Sequence, residues 1–228
     1  MKVLVTGTSQ GIGRAIALTF LKRGHQVVGF DRQVSSIIHS HYQHYQLDIG
    51  DYKYPDIKDV EIIVNNAGSL EDSEAFKCKV MGAFMITETY AFQDKIKAVI
   101  NISSNSAHYG IEMPLYCMAN GALLSYTKGL ARRLAQYGAT ANSVSPGYVD
   151  TTLDQHVRDA GLGDKIIKQC LLKHIQSPNE IAELVYYLGV VNKSITGQDI
   201  LMDCGECLGS EFIETEENIK KFYRSQVK

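Results

Sequence analysis

The stretch Thr6-Gly7-Thr8-Ser9-Gln10-Gly11-Ile12-Gly13 joins the apolar run KVLVT to the helical pattern IGRAIALTFLKRG. Glycine tolerates positive φ and lets the backbone approach a pyrophosphate, which the positive end of a following helix stabilises. The spacing G-x-x-x-G-x-G differs from the general G-x-G-x-x-G fingerprint, and a plain tight turn is the alternative. Because the loop lies between a buried strand and a helix, it favours a dinucleotide site.

The rest of the chain alternates strand and helix patterns in the same way. Helical patterns lie near residues 74–93, 115–136 and 164–174, and a later helix starts with Ser177 as N-cap, Pro178 first and Glu180 third. Strands rich in Val and Ile that alternate with helices predict a parallel sheet covered on both faces. We therefore predict an α/β fold, a single-domain Rossmann-type doubly wound parallel sheet of about seven strands. The further strands are predicted at QVVGF, YQL, EIIVNN, AVINIS, TANSVS and DILMD.

Domain organisation follows from what interrupts the pattern. The alternation of strands and helices is interrupted by no Pro/Ser linker and no internal repeat. Residues 1–228 are therefore predicted to form one dinucleotide-binding and catalytic domain. The only compositional shift is a charged tail at 209–228, for which we predict a terminal helix without a role in chemistry. Between the third and fourth strands only about a dozen residues intervene, too few for a full crossover helix with its loops.

Composition excludes several functions. The chain has 23 basic and 25 acidic residues, a formal charge of −2, which predicts no nucleic-acid partner. No apolar run approaches the length of about 20 residues that spans a bilayer, and the glycine-rich start is unlike a signal peptide. We expect no membrane association and a cytoplasmic location. We expect no metal site either, because Cys204-Gly-Glu-Cys207 has no second ligand pair nearby and the histidines of 39–44 have no ligand-spaced carboxylate.

Asp31 ends the second strand, 18 residues after Gly13. A carboxylate there accepts hydrogen bonds from both hydroxyls of an adenosine ribose and repels a 2′-phosphate, although a solvated surface Asp is the alternative. The neutral Gln10 also favours NAD(H), whereas Arg32 argues weakly for NADP(H) because it can pair with a 2′-phosphate. The sequence favours NAD as cofactor, with NADP less well supported.

Several motifs in order resemble the short-chain dehydrogenase/reductase family over nearly the whole chain. They are TGTSQGIG, Asn65-Asn66-Ala67-Gly68, INISS ending at Ser104, SPG with Pro146 and Gly147, and ITGQDILMD. The resemblance implies an NAD(P)-dependent oxidoreductase that transfers hydride between nicotinamide and a carbonyl or secondary alcohol. It makes Tyr116 the acid/base and Ser104 the group that polarises the carbonyl; Ser103 is the alternative, and the similarity of SSNSAH to dihydroxybenzoate-forming dehydrogenases favours Ser104.

The resemblance and the loop chemistry together also predict the cofactor site. Asp48 and Ile49 are expected at the adenine, and Val149 and Thr151 at the carboxamide end. The full predicted set is Gly7, Ser9, Gln10, Gly11, Ile12, Gly13, Asp31, Arg32, Asp48, Ile49, Asn66, Ala67, Gly68, Asn120, Pro146, Gly147, Val149 and Thr151.

Two positions depart from the family pattern. The lysine four residues after the tyrosine is Asn120 here, and the position of the family's asparagine, counted back from Gly82, is Lys79. A free tyrosine has a pKa of about 10, and a nearby cation favours the phenolate. We therefore predict that Lys79 is catalytic and replaces the missing charge, worth about 4 kcal/mol at about 4 Å and an effective dielectric near 20. The alternative is a solvated Lys79 and an impaired site, with a dinucleotide-binding protein of little turnover as the second function.

Apolar positions on the helical patterns at 74–93 and 115–136 predict either a subunit interface or a core stripe. The resemblance implies a homodimer or homotetramer that acts on a small-molecule carbonyl or alcohol. The positions are Phe84, Ile86, Leu123, Leu124, Leu130 and Leu134.

Overall fold

The computed structural model of the chain describes residues 1–71, 74–111, 113–152 and 155–209. Seven strands form one sheet in the order β3-β2-β1-β4-β5-β6-β7, and every pair of neighbours is parallel. The predicted doubly wound α/β fold is confirmed. The strands are β1 (Lys2–Thr6), β2 (Gln26–Asp31), β3 (Tyr42–Gln46), β4 (Ile62–Asn65), β5 (Ala98–Ile102), β6 (Thr140–Pro146) and β7 (Asp199–Met202).

Helices cover both faces of the sheet. One core packs α1 and α7 against the sheet around Phe20 and Ile181, and the other packs α2 and α4 around Ile86 and Leu130. The helices are α1 (Gly11–Lys22), α2 (Ala83–Tyr90), α3 (Ser106–Tyr109), α4 (Pro114–Leu134), α5 (Gln155–Asp159), α6 (Gly163–Gln169) and α7 (Pro178–Tyr186). Two π-helical segments join these helices, Ala75–Gly82 before α2 and Tyr187–Val191 after α7, and 3₁₀ turns lie at Ile49–Asp51, Ala135–Tyr137 and Glu206–Leu208.

The connection between β3 and β4 contains no α-helix, as its length predicts. The 3₁₀ turn Ile49–Asp51 is its regular element, capped by the Asp48 carboxylate, which accepts from the Gly50 amide at 2.7 Å. The third strand differs from the prediction, because it runs from Tyr42 to Gln46 rather than over YQL. Its start is not marked by an apolar run, because β3 lies at the edge of the sheet and its polar side chains are partly exposed.

The observed helix boundaries agree with the predictions in part. The capping box of Ser177 and Glu180 at the start of α7 is confirmed. The pattern predicted at 164–174 is helical only as far as Gln169, and Lys173 has a positive φ of 47° that no helix accommodates. Residues 210–228, nearly all of the predicted charged tail, lie outside the described residues.

The apolar stripe on α2 and α4 is mostly core. Ile86, Leu123, Leu130 and Leu134 are buried within the chain itself, as the core alternative predicts. Phe84 and Leu124 are half-buried and remain available for a subunit interface. None of the helices in the described ranges combines the length and apolar character that crossing a bilayer requires.

Candidate active site

A cleft of about 360 Å³ opens at the carboxyl ends of the strands, over the point where the strand order reverses between β1 and β4. It contains the predicted catalytic residues Ser104, Tyr116 and Lys79. The predicted cofactor residues that line it are Gly7, Gln10, Gly11, Ile12, Asp31, Arg32, Asp48, Ile49, Asn66, Ala67, Gly68, Pro146, Gly147, Val149 and Thr151. Ser9, Gly13 and Asn120 lie outside this lining.

The glycine loop leaves space that side chains would fill. Gly7 has a φ of +77°, and a Cβ there would lie 2.7 Å from Asn66 Nδ2. Gly13 packs directly beneath the loop, where a Cβ would clash with the Gly7 carbonyl oxygen and with Asn66 Nδ2. Asn66 Nδ2 itself donates to the Thr6 carbonyl oxygen at 2.9 Å and ties β4 to β1. The loop, closed against Asn66 and opening the N-terminus of α1, fits a dinucleotide pyrophosphate.

Asp31 closes one end of the cleft at the tip of β2. Its carboxylate accepts from the Ser9 amide at 2.8 Å and from the Gln33 amide at 2.9 Å, which fixes its position beside the loop. Ser9 thus contacts Asp31 through its backbone amide and does not line the cleft. The carboxylate retains lone pairs for two ribose hydroxyls, since each oxygen can accept more than one hydrogen bond.

Arg32, next along the chain, is held between two acids. Its guanidinium Nη1 lies 3.9 Å from Asp48 Oδ2 and 3.8 Å from Glu74 Oε2. A guanidinium already balanced by two carboxylates is a poorer partner for a 2′-phosphate than a free one.

The two candidate serines have different surroundings. Ser103 is buried, and its hydroxyl donates to the Asn120 carbonyl oxygen at 3.1 Å, which links β5 to α4. Ser104 is half-buried in the cleft, where its Oγ accepts from the Ser106 amide at 3.2 Å and donates to Asn105 Oδ1 at 3.4 Å. The geometry favours Ser104 as the residue that meets a substrate.

Lys79 enters the cleft from the π-helical segment. Its Nζ lies 5.7 Å from the centroid of the Tyr116 ring, and Gly68 makes room for it, because a Cβ on Gly68 would lie 3.3 Å from this nitrogen. Lys79 is only 5% exposed, and burial lowers its pKa from 10.5 to about 8. The solvated Lys79 of the alternative interpretation is therefore wrong, and the amine is mostly protonated at pH 7.

Asn120 lies behind the wall of the cleft. It is 0% exposed, and its Nδ2 donates to the Tyr116 carbonyl oxygen one turn earlier in α4 at 2.9 Å. Its Oδ1 is buried and accepts no hydrogen bond from any of the described residues. The geometry therefore does not support the predicted contact between Asn120 and the cofactor. The asparagine side chain is shorter than the lysine of the family pattern, and its amide bonds the helix backbone instead.

A polar group at the opposite end of the cleft escaped the sequence interpretation. Glu206, in the 3₁₀ turn after β7, accepts from Asn105 Nδ2 and from the Tyr109 hydroxyl, each at 2.9 Å. Burial raises the pKa of Glu206, and the hydrogen bonds from Tyr109 and Asn105 oppose that shift. Glu206 lies within Cys204-Gly-Glu-Cys207, a motif whose spacing was considered only for its two cysteines as metal ligands.

Comparison with known proteins identifies the family. The model described as Enoyl-(Acyl carrier protein) reductase matches residues 7–206. The chain belongs to the short-chain dehydrogenase/reductase family. It is accordingly an oxidoreductase of that family, as its motifs indicate.

Similar curated proteins are reductases and dehydrogenases. An acetoacetyl-CoA reductase of Rhizobium meliloti is 29% identical over 233 residues, with 89% of this chain and 97% of the relative covered. A 2,3-dihydro-2,3-dihydroxybenzoate dehydrogenase of Escherichia coli K12 is 29% identical, with 91% and 97% covered. The chain spans only 43% of another relative, an uncharacterized short-chain type dehydrogenase/reductase of Sinorhizobium fredii, which is also 29% identical over 89% of this chain.

Several solved structures share the fold. ElxO with NADP bound superposes with a TM-score of 0.80 at 24% identity, covering 91% of this chain and 98% of that one. A 4-hydroxyisoleucine dehydrogenase mutant complexed with NADH and succinate has a TM-score of 0.82 at 20% identity, covering 92% and 100%. At this level of identity the superpositions establish the architecture alone, and they include proteins bound to either form of the cofactor.

Proposed function

We propose that the chain is an NAD(H)-dependent oxidoreductase that interconverts a carbonyl compound and a secondary alcohol. The observation that carries the proposal is the Lys79 amine, 5.7 Å from the Tyr116 ring centre in a cleft that also presents Ser104. When bound, the nicotinamide supplies or accepts the hydride. Every other part of the chemistry falls to side chains of the chain itself.

Tyr116 is the proposed acid/base. During reduction it gives its hydroxyl proton to the substrate oxygen, and during oxidation it takes that proton back. With substrate bound, the Ser104 hydroxyl donates to the same oxygen in place of Asn105 Oδ1 and lowers the barrier, because negative charge develops there in the transition state. Ser104 and Tyr116 line the same cleft, which supports a shared role at one substrate oxygen.

Lys79 is the proposed source of the charge that stabilises the phenolate of Tyr116. Its Nζ lies 5.7 Å from the ring centre. For two unit charges about 6 Å apart, the interaction is about 3 kcal/mol at an effective dielectric of about 20. The amine comes from the π-helical segment before α2, whereas Asn120 of α4 contributes none. The usual division of labour between these two helix positions is thus reversed in this proposal.

NAD(H) is the proposed cofactor, with NADP(H) second. Asp31 stands where the ribose 2′-hydroxyl binds in this fold, and Arg32 is already paired with two carboxylates. ElxO, which shares the fold, binds NADP, and this is the observation that keeps NADP(H) as the second candidate. We expect NADH to bind at least about ten-fold more tightly than NADPH, which corresponds to about 1.4 kcal/mol.

A single series of assays tests the function. The protein is titrated with NADH and NADPH, and a panel of ketones and secondary alcohols is then assayed with the preferred cofactor. Lys79→Met and Lys79→Asn should lower turnover about 100-fold while cofactor binding persists, since they remove about 3 kcal/mol of electrostatic support. Exposed Lys128→Met on α4 is the control and should leave turnover unchanged.

Two results would contradict the proposal in different ways. Unchanged turnover in both Lys79 variants excludes the role of the amine, and a rise in activity on Asn120→Lys then identifies an impaired site. NADH binding without turnover of any substrate favours a dinucleotide-binding protein that serves as a sensor or structural partner.

A further inference from the structure

The end of the cleft beyond Ser104 has a carboxylate built into it. The Ser104 hydroxyl donates to Asn105 Oδ1 at 3.4 Å, and Asn105 Nδ2 donates to Glu206 Oε2 at 2.9 Å. The carboxylate is thus two hydrogen bonds from the serine that is proposed to hold the reacting oxygen. Tyr109 donates to its other oxygen, and the half-buried carboxylate lines the cleft.

The charges around the cleft have an uneven distribution. Among the described residues of its lining, Arg32 and Lys79 are the cationic side chains. Arg32 is engaged with Asp48 and Glu74 at the Asp31 end, and Lys79 lies against Tyr116. Neither of these lining cations is paired with Glu206, and buried Asp203 adds further negative charge that raises the pKa of Glu206. An anionic substrate group at this end would meet like charge without compensation.

The lining of the cleft also includes several apolar side chains. They are Ile111, Met113, Val157, Ile166 and the Tyr148 ring. Apolar side chains together with a fixed carboxylate favour a small amphipathic molecule, because the apolar side chains favour hydrocarbon and the carboxylate favours a hydrogen-bond donor.

We propose that the substrate is neutral or cationic and carries a hydroxyl or amino group, next to the reacting carbon, that donates a hydrogen bond to Glu206. The inference rests on the proposed function and adds the substrate class to it. Molecules with a carboxylate or phosphate beside the reacting carbon are excluded by the same charge. Hydroxyl and amino donors share this recognition, and separate arms of one assay distinguish them.

Four racemic secondary alcohols of nearly equal size provide the test, each oxidised with NAD⁺. They share CH₃–CH(OH)– and differ in one substituent: 1,2-propanediol, 1-amino-2-propanol, 2-butanol and lactate. We expect kcat/KM for the diol or the amino alcohol to exceed that of 2-butanol at least about ten-fold, and lactate to be the poorest, because a charged hydrogen bond is gained in the first pair and lost in the others.

The Glu206→Gln variant identifies the residue responsible. It should lower the preference for the donor-bearing alcohol over 2-butanol by about ten-fold and improve lactate, since the amide keeps the shape and removes the charge. Glu183→Gln, an exposed acid paired with Arg23 outside the cleft, is the matched control and should leave the ranking unchanged.

The outcomes separate the two proposals. Lactate or 2-butanol as the best substrate overturns the substrate class and leaves the oxidoreductase intact. The ranking on the unsubstituted protein decides this even where Glu206→Gln does not fold. An unchanged preference in a folded Glu206→Gln also overturns the inference, whereas NADH binding with no oxidation of any alcohol in a broad panel counts against the proposed function instead.

Discussion

Lys79 has a cost in stability that is separate from its proposed role in catalysis. Burial lowers its pKa from 10.5 to about 8, which corresponds to about 3 kcal/mol of unfavourable desolvation of the charged form. Below pH 8 both the folded and the unfolded chain hold the proton, and the folded state bears the full penalty. Between pH 8 and 10.5 the folded chain releases the proton first, so the penalty falls as the pH rises.

Replacing this amine should therefore stabilise the protein at neutral pH. We expect the free energy of unfolding of Lys79→Met at pH 7 to exceed that of the unsubstituted chain by up to about 3 kcal/mol. The excess should shrink steadily from pH 8 to pH 10.5. Urea unfolding at intervals across this range measures it.

Lys128→Met serves as the comparison because Lys128 is exposed on α4. Its difference from the unsubstituted chain should be small, because the side chain makes little contact with the folded protein. A Lys79→Met difference that stays constant from pH 7 to 10.5 would mean that desolvation of this amine is not its cause.

The start of α7 depends on a local arrangement of polar groups. The Ser177 amide and hydroxyl donate to Glu180 Oε2 at 2.7 and 2.9 Å, and His174 Nε2 lies 2.9 Å from Glu180 Oε1. These contacts lower the pKa of Glu180, with the hydrogen bond from the Ser177 amide as the largest cause. The stabilisation is present at neutral pH and is lost as the pH falls through the lowered pKa.

Ser177→Ala tests the value of this cap. We expect the variant to lose about 1 kcal/mol of unfolding free energy, because the first turn of α7 loses its capping hydroxyl. Ser125→Ala, an exposed position within α4, should gain a few tenths of a kcal/mol from helix propensity instead. Thermal or urea unfolding measures both variants. Equal changes in unfolding free energy for the two substitutions would show that the cap does not stabilise α7.

The assembly of whole chains is predicted from the two apolar side chains that the core leaves half-buried. Phe84 packs edge-on against the Tyr126 ring with centroids 5.8 Å apart, and Leu124 lies on the neighbouring helix α4. We expect a homodimer or homotetramer in sedimentation velocity experiments. Leu124→Glu should shift the population toward smaller species, because it introduces a charge into an apolar contact.

Ser125→Glu controls for added charge on the same helix. It occupies an exposed position and should leave the sedimentation coefficient unchanged. A monomer for the unsubstituted chain at concentrations of tens of micromolar would contradict the prediction.

Much of this architecture is written locally in the sequence. Strands with four or five consecutive buried residues, most of them apolar, are one such local pattern, as in β1 and β5, and the capping box of α7 is another. The glycine loop is equally local, since Gly7, Gly11 and Gly13 meet the same turn. Patterns between residues so close in sequence can be recognised without knowledge of the fold.

The substrate end of the cleft could not be found in this way. Glu206 meets Asn105 and Tyr109 across separations of 101 and 97 residues, and only the order of β5, β6 and β7 brings them together. The burial of Lys79 is likewise a property of the assembled cleft, because it depends on the absence of a side chain at Gly68. The edge strand β3 was predicted with the wrong bounds, because its polar composition reflects exposure rather than a lack of backbone pairing.

The sheet order also has a consequence for how the chain acquires its shape as a ribosome produces it. β1 lies between β2 and β4, so one side of it stays unpaired after β2 and β3 have emerged and until Ile62–Asn65 follows. Translation at about 5–20 residues per second takes about one to four seconds to add the 19 residues from Leu47 to Asn65. During this interval a nascent edge of Val and Leu is open to chaperones and to neighbouring nascent chains. The missing crossover helix before β4 shortens that exposure, because fewer codons separate the two partners.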